Sequence, residues 1–282
     1  MQAAHQVLIL DVNPLMWSIG RRTADAPSEA DKLLTFRAYI DVMDIFAKSH
    51  LMLNKENTIH IIAAHPSGCT MLYPTAATQS GGDFDLYYLI RELLSNHSQP
   101  LKEHEEADLR MNHHLSQALS RALCSINRKQ QHPHNGTASC KSKILVAQIS
   151  LDSPSSYNAI MNSIFSAQKF GIPVDAVVFS REDSSLLQQA CLLTGGVYLK
   201  PHTSQGGDGG CLQLLLTHCL PDIRSRKVLR AFVQTSVDFK ASCTCHNKPV
   251  DFTFMCSVCL SLFCPVTVTG SDKCEICGTK IR

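Results

Sequence analysis

The segment Val7 to Val12 constrains this chain more than any other: apart from Asp11 it is aliphatic on both parities of an extended backbone. A strand with one wetted face alternates apolar and polar residues, so a run without alternation must be covered on both sides, as in a parallel sheet packed between helices. After a loop through Pro27-Ser28, the residues Leu33, Phe36, Ile40, Met43 and Ala47 recur at steps of three and four and draw one apolar stripe along a helix. Strands are expected at 58–64 and 70–73. The second should lie antiparallel at the sheet edge, because Pro66-Ser67-Gly68 between them has the composition of a hairpin turn. Helices at 83–95 and 103–128 follow, then strand 143–149, helix 155–169, strand 174–179 and helix 184–193. A stop at Gly195-Gly196, a short strand at 197–200 and a helix at 211–220 ended by Pro221 complete the series. Strands alternating with helices at this spacing imply βαβ crossovers, hence an α/β fold with a mostly parallel sheet flanked by helices.

Length and composition fit one large core with a small appendage: 282 residues, 44% hydrophobic and 18% charged. The formal charge of +2 is too small for the whole surface to act as a nucleic-acid footprint. The amino terminus lacks the charged and long apolar regions of a signal peptide, and no stretch approaches the roughly 20 apolar residues needed to cross a bilayer. A protein of the reducing cell interior with no membrane partner is expected. There, thirteen cysteines are not read as a disulfide framework.

Seven of those cysteines fall between Cys243 and Cys277. Cys256, Cys259, Cys274 and Cys277 form two Cys-x-x-Cys pairs separated by fourteen residues. A tight turn aims both sulfurs of such a pair inward while its amides donate to them, so two pairs complete a tetrahedron for zinc. Four thiolates leave no position for water, which makes the ion structural and excludes hydrolysis there. Cys243, Cys245, His246 and Cys264 are candidates for a second zinc in a cross-braced, RING-like arrangement, although three ligands at Cys243-Thr244-Cys245-His246 are tightly spaced. The expected organisation is therefore a large domain over 1–221, a basic connector over 222–239 carrying Arg224, Arg226 and Lys227, and a zinc module over 240–282.

Asp11 ends the first strand, where open α/β sheets bind ligands. In von Willebrand A domains this position begins a metal-ion-dependent adhesion site of the form Asp-x-Ser-x-Ser. Here Asn13 and Leu15 stand at the two serine positions, and leucine cannot ligate magnesium. The site is read as degenerate, with Asp11 accepting hydrogen bonds from nearby loop amides. No nucleophile elbow, phosphate loop or dinucleotide fingerprint is present, so neither an enzyme nor a small-molecule substrate is expected. The glycine-rich run 205–210 contains no lysine and reads as a flexible linker, the polar stretch 128–142 as a surface loop, and the pairs His113-His114 and His132-x-His134 as solvated residues.

With this fold and tail together, the sequence resembles the small von Willebrand A subunits (subunit 3) of the general transcription and DNA-repair factor TFIIH. The likeness is carried by Leu10-Asp11-Val12-Asn13-Pro14, Lys48-Ser49-His50-Leu51, Leu119-Ser120-Arg121-Ala122-Leu123-Cys124, Met161 to Lys169, Leu186 to Gly196, and Cys256-Ser257-Val258-Cys259-Leu260-Ser261. The resemblance implies a von Willebrand A-like domain with a C-terminal zinc finger. It also implies a non-catalytic scaffold that docks the RING-like end of a larger sister subunit in the TFIIH core, in the nucleus, for RNA polymerase II initiation and nucleotide excision repair. The chain lacks, after Cys277, the lysine-rich tail of some members, so import as part of a complex is expected. One alternative is a RING-type ubiquitin ligase recruiting a conjugating enzyme through Val258, Leu260, Leu262 and Phe263. A weak DNA contact is a further expectation, since nine Lys and Arg face five Asp and Glu from Pro221 onward.

Overall fold

The structure is a computed structural model that describes residues 3–22, 34–74, 84–96, 114–131, 141–153, 156–201, 207–229, 241–243, 249–250, 252–259, 261–265, 273–274 and 277–280. Its centre is a six-stranded sheet of order β3-β2-β1-β4-β5-β6. The strands are β1 (Ala4–Asp11), β2 (Thr58–His65), β3 (Gly68–Tyr73), β4 (Lys141–Gln148), β5 (Val174–Val178) and β6 (Tyr198–Leu199). All pairings are parallel except β2 with β3, which closes one edge as the expected hairpin. Val7, Leu8, Ile9 and Leu10 of β1 are all buried, which explains the missing alternation.

Helices α1 (Pro14–Arg22), α2 (Phe36–Leu53), α3 (Leu86–Asn96) and α7 (Gly207–His218) lie on one face. Helices α4 (Leu115–Gln131), α5 (Tyr157–Lys169) and α6 (Ser185–Thr194) cover the other. Helix α2 starts at Thr35, whose hydroxyl accepts from the Ala38 amide at 3.3 Å, and buries Tyr39, Ile40, Met43, Phe46 and Ala47 against β1 and β2. Each large apolar side chain removed from water contributes about 1.5 to 3 kcal/mol before the entropy of ordering is subtracted. Gly195 ends α6 at φ +72°, and a Cβ on Gly196 would stand 1.9 Å from the Val174 carbonyl oxygen. Only glycine lets the chain enter β6 that close to β5.

Several expectations are corrected. Residues 14–22 fold as α1, with Pro14 in the first turn, where a missing amide is harmless, and Trp17 in the core. The supposed surface loop is helical through Gln131, and β4 starts as early as Lys141. Residues 207–210 begin α7 and are not a linker. The expected helix 103–128 is described from Leu115 onward; its first part lies outside the described residues. His114 is partly buried, its Nε2 2.9 Å from the Pro66 carbonyl at the β2–β3 turn, whereas His113, His132 and His134 lie outside the described residues.

The expected basic connector also has structure. Residues Ile223–Leu229 form helix α8, capped by Asp222, whose carboxylate accepts from the Ser225 amide at 2.9 Å. Arg226 is buried: its Nη1 donates to Asp175 Oδ1 at 2.7 Å, and its Nη2 reaches Asp175 Oδ2 and the Cys219 carbonyl. Lys143 Nζ donates to the carbonyls of Cys219 and Leu220, each at 2.6 Å. Two buried cations therefore cap the carboxyl end of α7, where the last carbonyls have no helical partner. Desolvation lowers the Lys143 amine to about 8 in spite of Asp175 nearby.

Candidate metal centre and the closed sheet edge

The tail positions its cysteines with short antiparallel ribbons. Strands β7 (Ala241–Ser242) and β8 (Pro249–Val250) pair, as do β9 (Phe254–Met255) and β10 (Leu262–Phe263). The second ribbon brackets Cys256 and Cys259, while a bridge between Lys273 and Lys280 brackets Cys274 and Cys277. Each pair thus sits at the tip of a hairpin. The Cys256 amide donates to the Ser261 carbonyl at 3.0 Å, and the Cys274 amide donates to the Thr279 carbonyl at 2.8 Å. Gly278, at φ +70°, lets the second turn close, its own amide reaching the Cys274 carbonyl at 2.8 Å.

The two hairpin tips meet. Cys256 Sγ lies 3.5 Å from Cys277 Sγ, and Cys259 Sγ lies 3.5 Å from Cys274 Sγ. All four sulfurs fall within 4.8 Å of one another. Four sulfurs placed 2.3 Å from a shared tetrahedral centre would be about 3.8 Å apart, so the donor set matches a bound ion in chemistry and in size. Among the described residues this is the one group of three or more His, Cys, Asp or Glu donors able to share an ion. Phe263, 1% exposed, packs with Cys256 and Cys274. That burial removes Phe263 from the conjugating-enzyme patch expected of a ligase; Val258 is exposed, and Leu260 lies outside the described residues. Of the candidates for a second ion, Cys243 and Cys264 are buried, and Cys245 and His246 lie outside the described residues.

A second pattern was not read from the sequence. Ser261 Oγ lies 3.1 Å from Cys259 Sγ, and Thr279 Oγ1 lies 3.3 Å from Cys277 Sγ. Contacts with Thr279 bring the Cys277 thiol down to about 6, and contacts with Ser261 lower Cys259 in the same way. The signal was available as a hydroxyl residue two positions after the last cysteine of each pair.

At the opposite end of the chain, Asp11 is buried and its carboxylate is occupied by backbone. Oδ1 accepts from the Asn13 amide at 3.1 Å, and Oδ2 accepts from the Ile149 and Ser150 amides at 3.2 and 2.7 Å. Asn13 Oδ1 accepts from the Leu15 amide at 3.1 Å, and its Nδ2 donates to Ser150 Oγ at 3.1 Å. Burial raises the Asp11 carboxyl, with the amides pulling it back. The adjoining crevice is filled in the same way: Asp152 accepts from Ser184 Oγ at 2.7 Å, Gln148 Nε2 at 3.0 Å and the Leu186 amide at 3.3 Å. Both carboxylates fasten loops across the carboxyl edge of the sheet. Ser150, Asp152 and Ser184 escaped the sequence reading because no local spacing connects them to Asp11.

Among the described residues, no helix is long and apolar enough to cross a membrane. The family model of transcription factor Tfb4 matches residues 4–278. The chain is 34% identical to the general transcription and DNA repair factor IIH subunit TFB4 of Arabidopsis thaliana, over 97% of this chain and 87% of that protein. It is 36% identical to the general transcription factor IIH subunit 3 of Dictyostelium discoideum, over 87% of this chain and 68% of that protein. In structure it resembles the crystallised N-terminal domain of TFIIH p34, with a TM-score of 0.58, 25% identity, and coverage of 76% of this chain and 97% of that one. The likeness over the sheet and helices, together with a family match that runs through the four-cysteine tail, leads to one conclusion: this chain belongs to the transcription factor Tfb4 family.

Proposed function

We infer that this chain is a non-catalytic structural subunit of the TFIIH core, acting in the nucleus in RNA polymerase II initiation and nucleotide excision repair by docking a partner subunit. The observation that carries the reading is the contrast between a closed sheet edge and an open helical face. The edge where α/β folds bind ligands is fastened by Asp11 and Asp152. On the outer layer, Tyr157 and Phe165 of α5, Phe170 at its carboxyl end and Leu192 of the neighbouring α6 are each more than 40% exposed. Large apolar side chains exposed on two helices that pack against one another favour a protein partner. The partner proposed is the larger von Willebrand A/RING subunit of TFIIH.

The ion proposed for Cys256, Cys259, Cys274 and Cys277 is zinc, bound by the thiolates and serving to hold the tail's shape. A domain division near Pro221 to Lys240 remains part of the reading, with α8 assigned to the large domain because Arg226 is buried there. The same burial removes Arg226 from the basic surface that a weak DNA contact would use.

Native mass spectrometry of the chain with the larger subunit gives zinc count and stoichiometry together. The expected result is a one-to-one complex carrying zinc on this chain, with Phe165→Glu weakening the complex at least tenfold and Met52→Glu, at the far end of α2, leaving it intact. A monomer indifferent to the larger subunit would overturn the scaffold reading. The mass also decides whether the chain carries a second ion, for which Cys243, Cys245, His246 and Cys264 are the candidates.

A further inference from the structure

The metal centre is built from a repeated unit that reaches beyond its cysteines. In Cys256-Ser257-Val258-Cys259-Leu260-Ser261 and in Cys274-Glu275-Ile276-Cys277-Gly278-Thr279, the sixth residue carries a hydroxyl on its β-carbon. That residue performs two tasks in both copies. Its carbonyl accepts the amide of the first cysteine, at 3.0 Å for Ser261 and 2.8 Å for Thr279. Its hydroxyl lies against the sulfur of the second cysteine, at 3.1 Å and 3.3 Å. A serine or threonine is needed for this, since the oxygen must sit one bond from the β-carbon to reach back along its own turn.

The hydroxyls also fall where the centre is weakest. The first cysteine of each pair, Cys256 or Cys274, is 2% exposed and packs on Phe263, whereas Cys259 is half-buried and Cys277 exposed. A competing ligand or an electrophile approaching from water meets the second sulfur of each pair first. As a thiol, Cys277 donates to Thr279 Oγ1; as a bound thiolate it can only accept, so the hydroxyl turns to donate, which stabilises the thiolate and holds its direction, the role that outer hydrogen bonds play around metal ligands in general.

We propose that Ser261 and Thr279 are positioning residues of the metal centre, holding the two solvent-side thiolates in place, and that loss of the ion begins at Cys277. This rests on the metal-centre reading above. Outer hydrogen bonds to ligands typically alter metal affinity about 10- to 100-fold; a partly wet hydroxyl should lie near or below that range, at about 3- to 10-fold per residue.

The test uses the full chain loaded with zinc, with native mass spectrometry confirming the load and a chromogenic chelator following transfer of the ion. Thr279→Val and Ser261→Ala should release zinc several-fold faster than the parent chain. Thr279→Ser and Ser261→Thr, which keep the hydroxyl, should stay within twofold of the parent rate. Equal rates for all five chains, or Thr279→Ser as fast as Thr279→Val, would overturn the proposal while leaving the metal centre standing. A parent chain that carries no ion would overturn both. A second measurement needs no variant: brief alkylation of the zinc-loaded chain, mapped by peptide mass, should label Cys277 first, then Cys259, with Cys256 and Cys274 last. Labelling that starts at Cys259, Cys256 or Cys274 would refute the assigned point of release.

Discussion

At the scale of single residues, the most consequential are polar groups sealed away from water. Asp175 is fully buried and holds Arg226 through two guanidinium contacts while its Oδ1 also accepts the Val197 amide at 2.9 Å. Removing one member strands a charge in the core, so Asp175→Asn should destabilise the large domain by about 3 to 5 kcal/mol in denaturant unfolding, whereas an apolar replacement of both partners should cost much less. The histidines at the amino end of the sheet give a pH dependence. Burial lowers His50 and His60 from 6.5 to about 4, and lowers His5 further still, with Lys129 adding to the effect on His5 and His60. These rings stay neutral when folded but take up protons when unfolded, so stability should fall as pH drops from about 6.5 towards 4. Asp11 and Asp152, raised by burial, work in the opposite direction at the acid end of that window. The contribution of His50 is isolated by comparing His50→Gln with the parent chain in thermal melts across the window: the variant should show a shallower loss, and parallel melting curves would count against the assignment.

At the scale of elements, what could be read in advance followed the chemistry of each anchor. Strand β1 was legible because a doubly covered strand has apolar residues on both parities, and α2 because its stripe recurs at helical steps. Helix α1 was not, since Trp17 is its one fully committed apolar anchor between Pro14 and Ser18. Helix α8 was hidden for a different reason: its anchor is an arginine, so Ile223–Leu229 reads as a basic linker until Asp175 is seen beside it. The four cysteines were legible because metal spacing is local in sequence, while the closure of the sheet edge, Asp11 to Ser150, spans 139 residues and leaves no local trace. Two outcomes test the elements themselves. A chain ending at residue 221 should be less stable than one ending at 229, because the first leaves Asp175 buried without Arg226. Gly196→Ala should cost about 2 kcal/mol or more in the melting of either chain, since its Cβ cannot fit 1.9 Å from the Val174 oxygen without moving a strand.

At the scale of the whole molecule, the six-stranded sheet and the cysteine-bearing tail differ in what holds them. The large domain rests on two apolar layers either side of one sheet. Among the described residues, the core of the tail is Phe263 and the cysteines packed with it, and the proposed ion would add to that small core. Chelation should therefore open the tail to protease while the large domain survives; a tail equally protected with and without chelator would show that the ion is dispensable for its fold.

The buried grip of Arg226 on Asp175 has a mechanical meaning. If the tail is pulled, the last described helix before it, α8, is held to the sheet by a side chain hooked into β5, an interior strand flanked by β4 and β6. Such an attachment grips an interior strand and not the margin of the sheet. In a pulling experiment on the chain the tail should therefore give way well before the joint does.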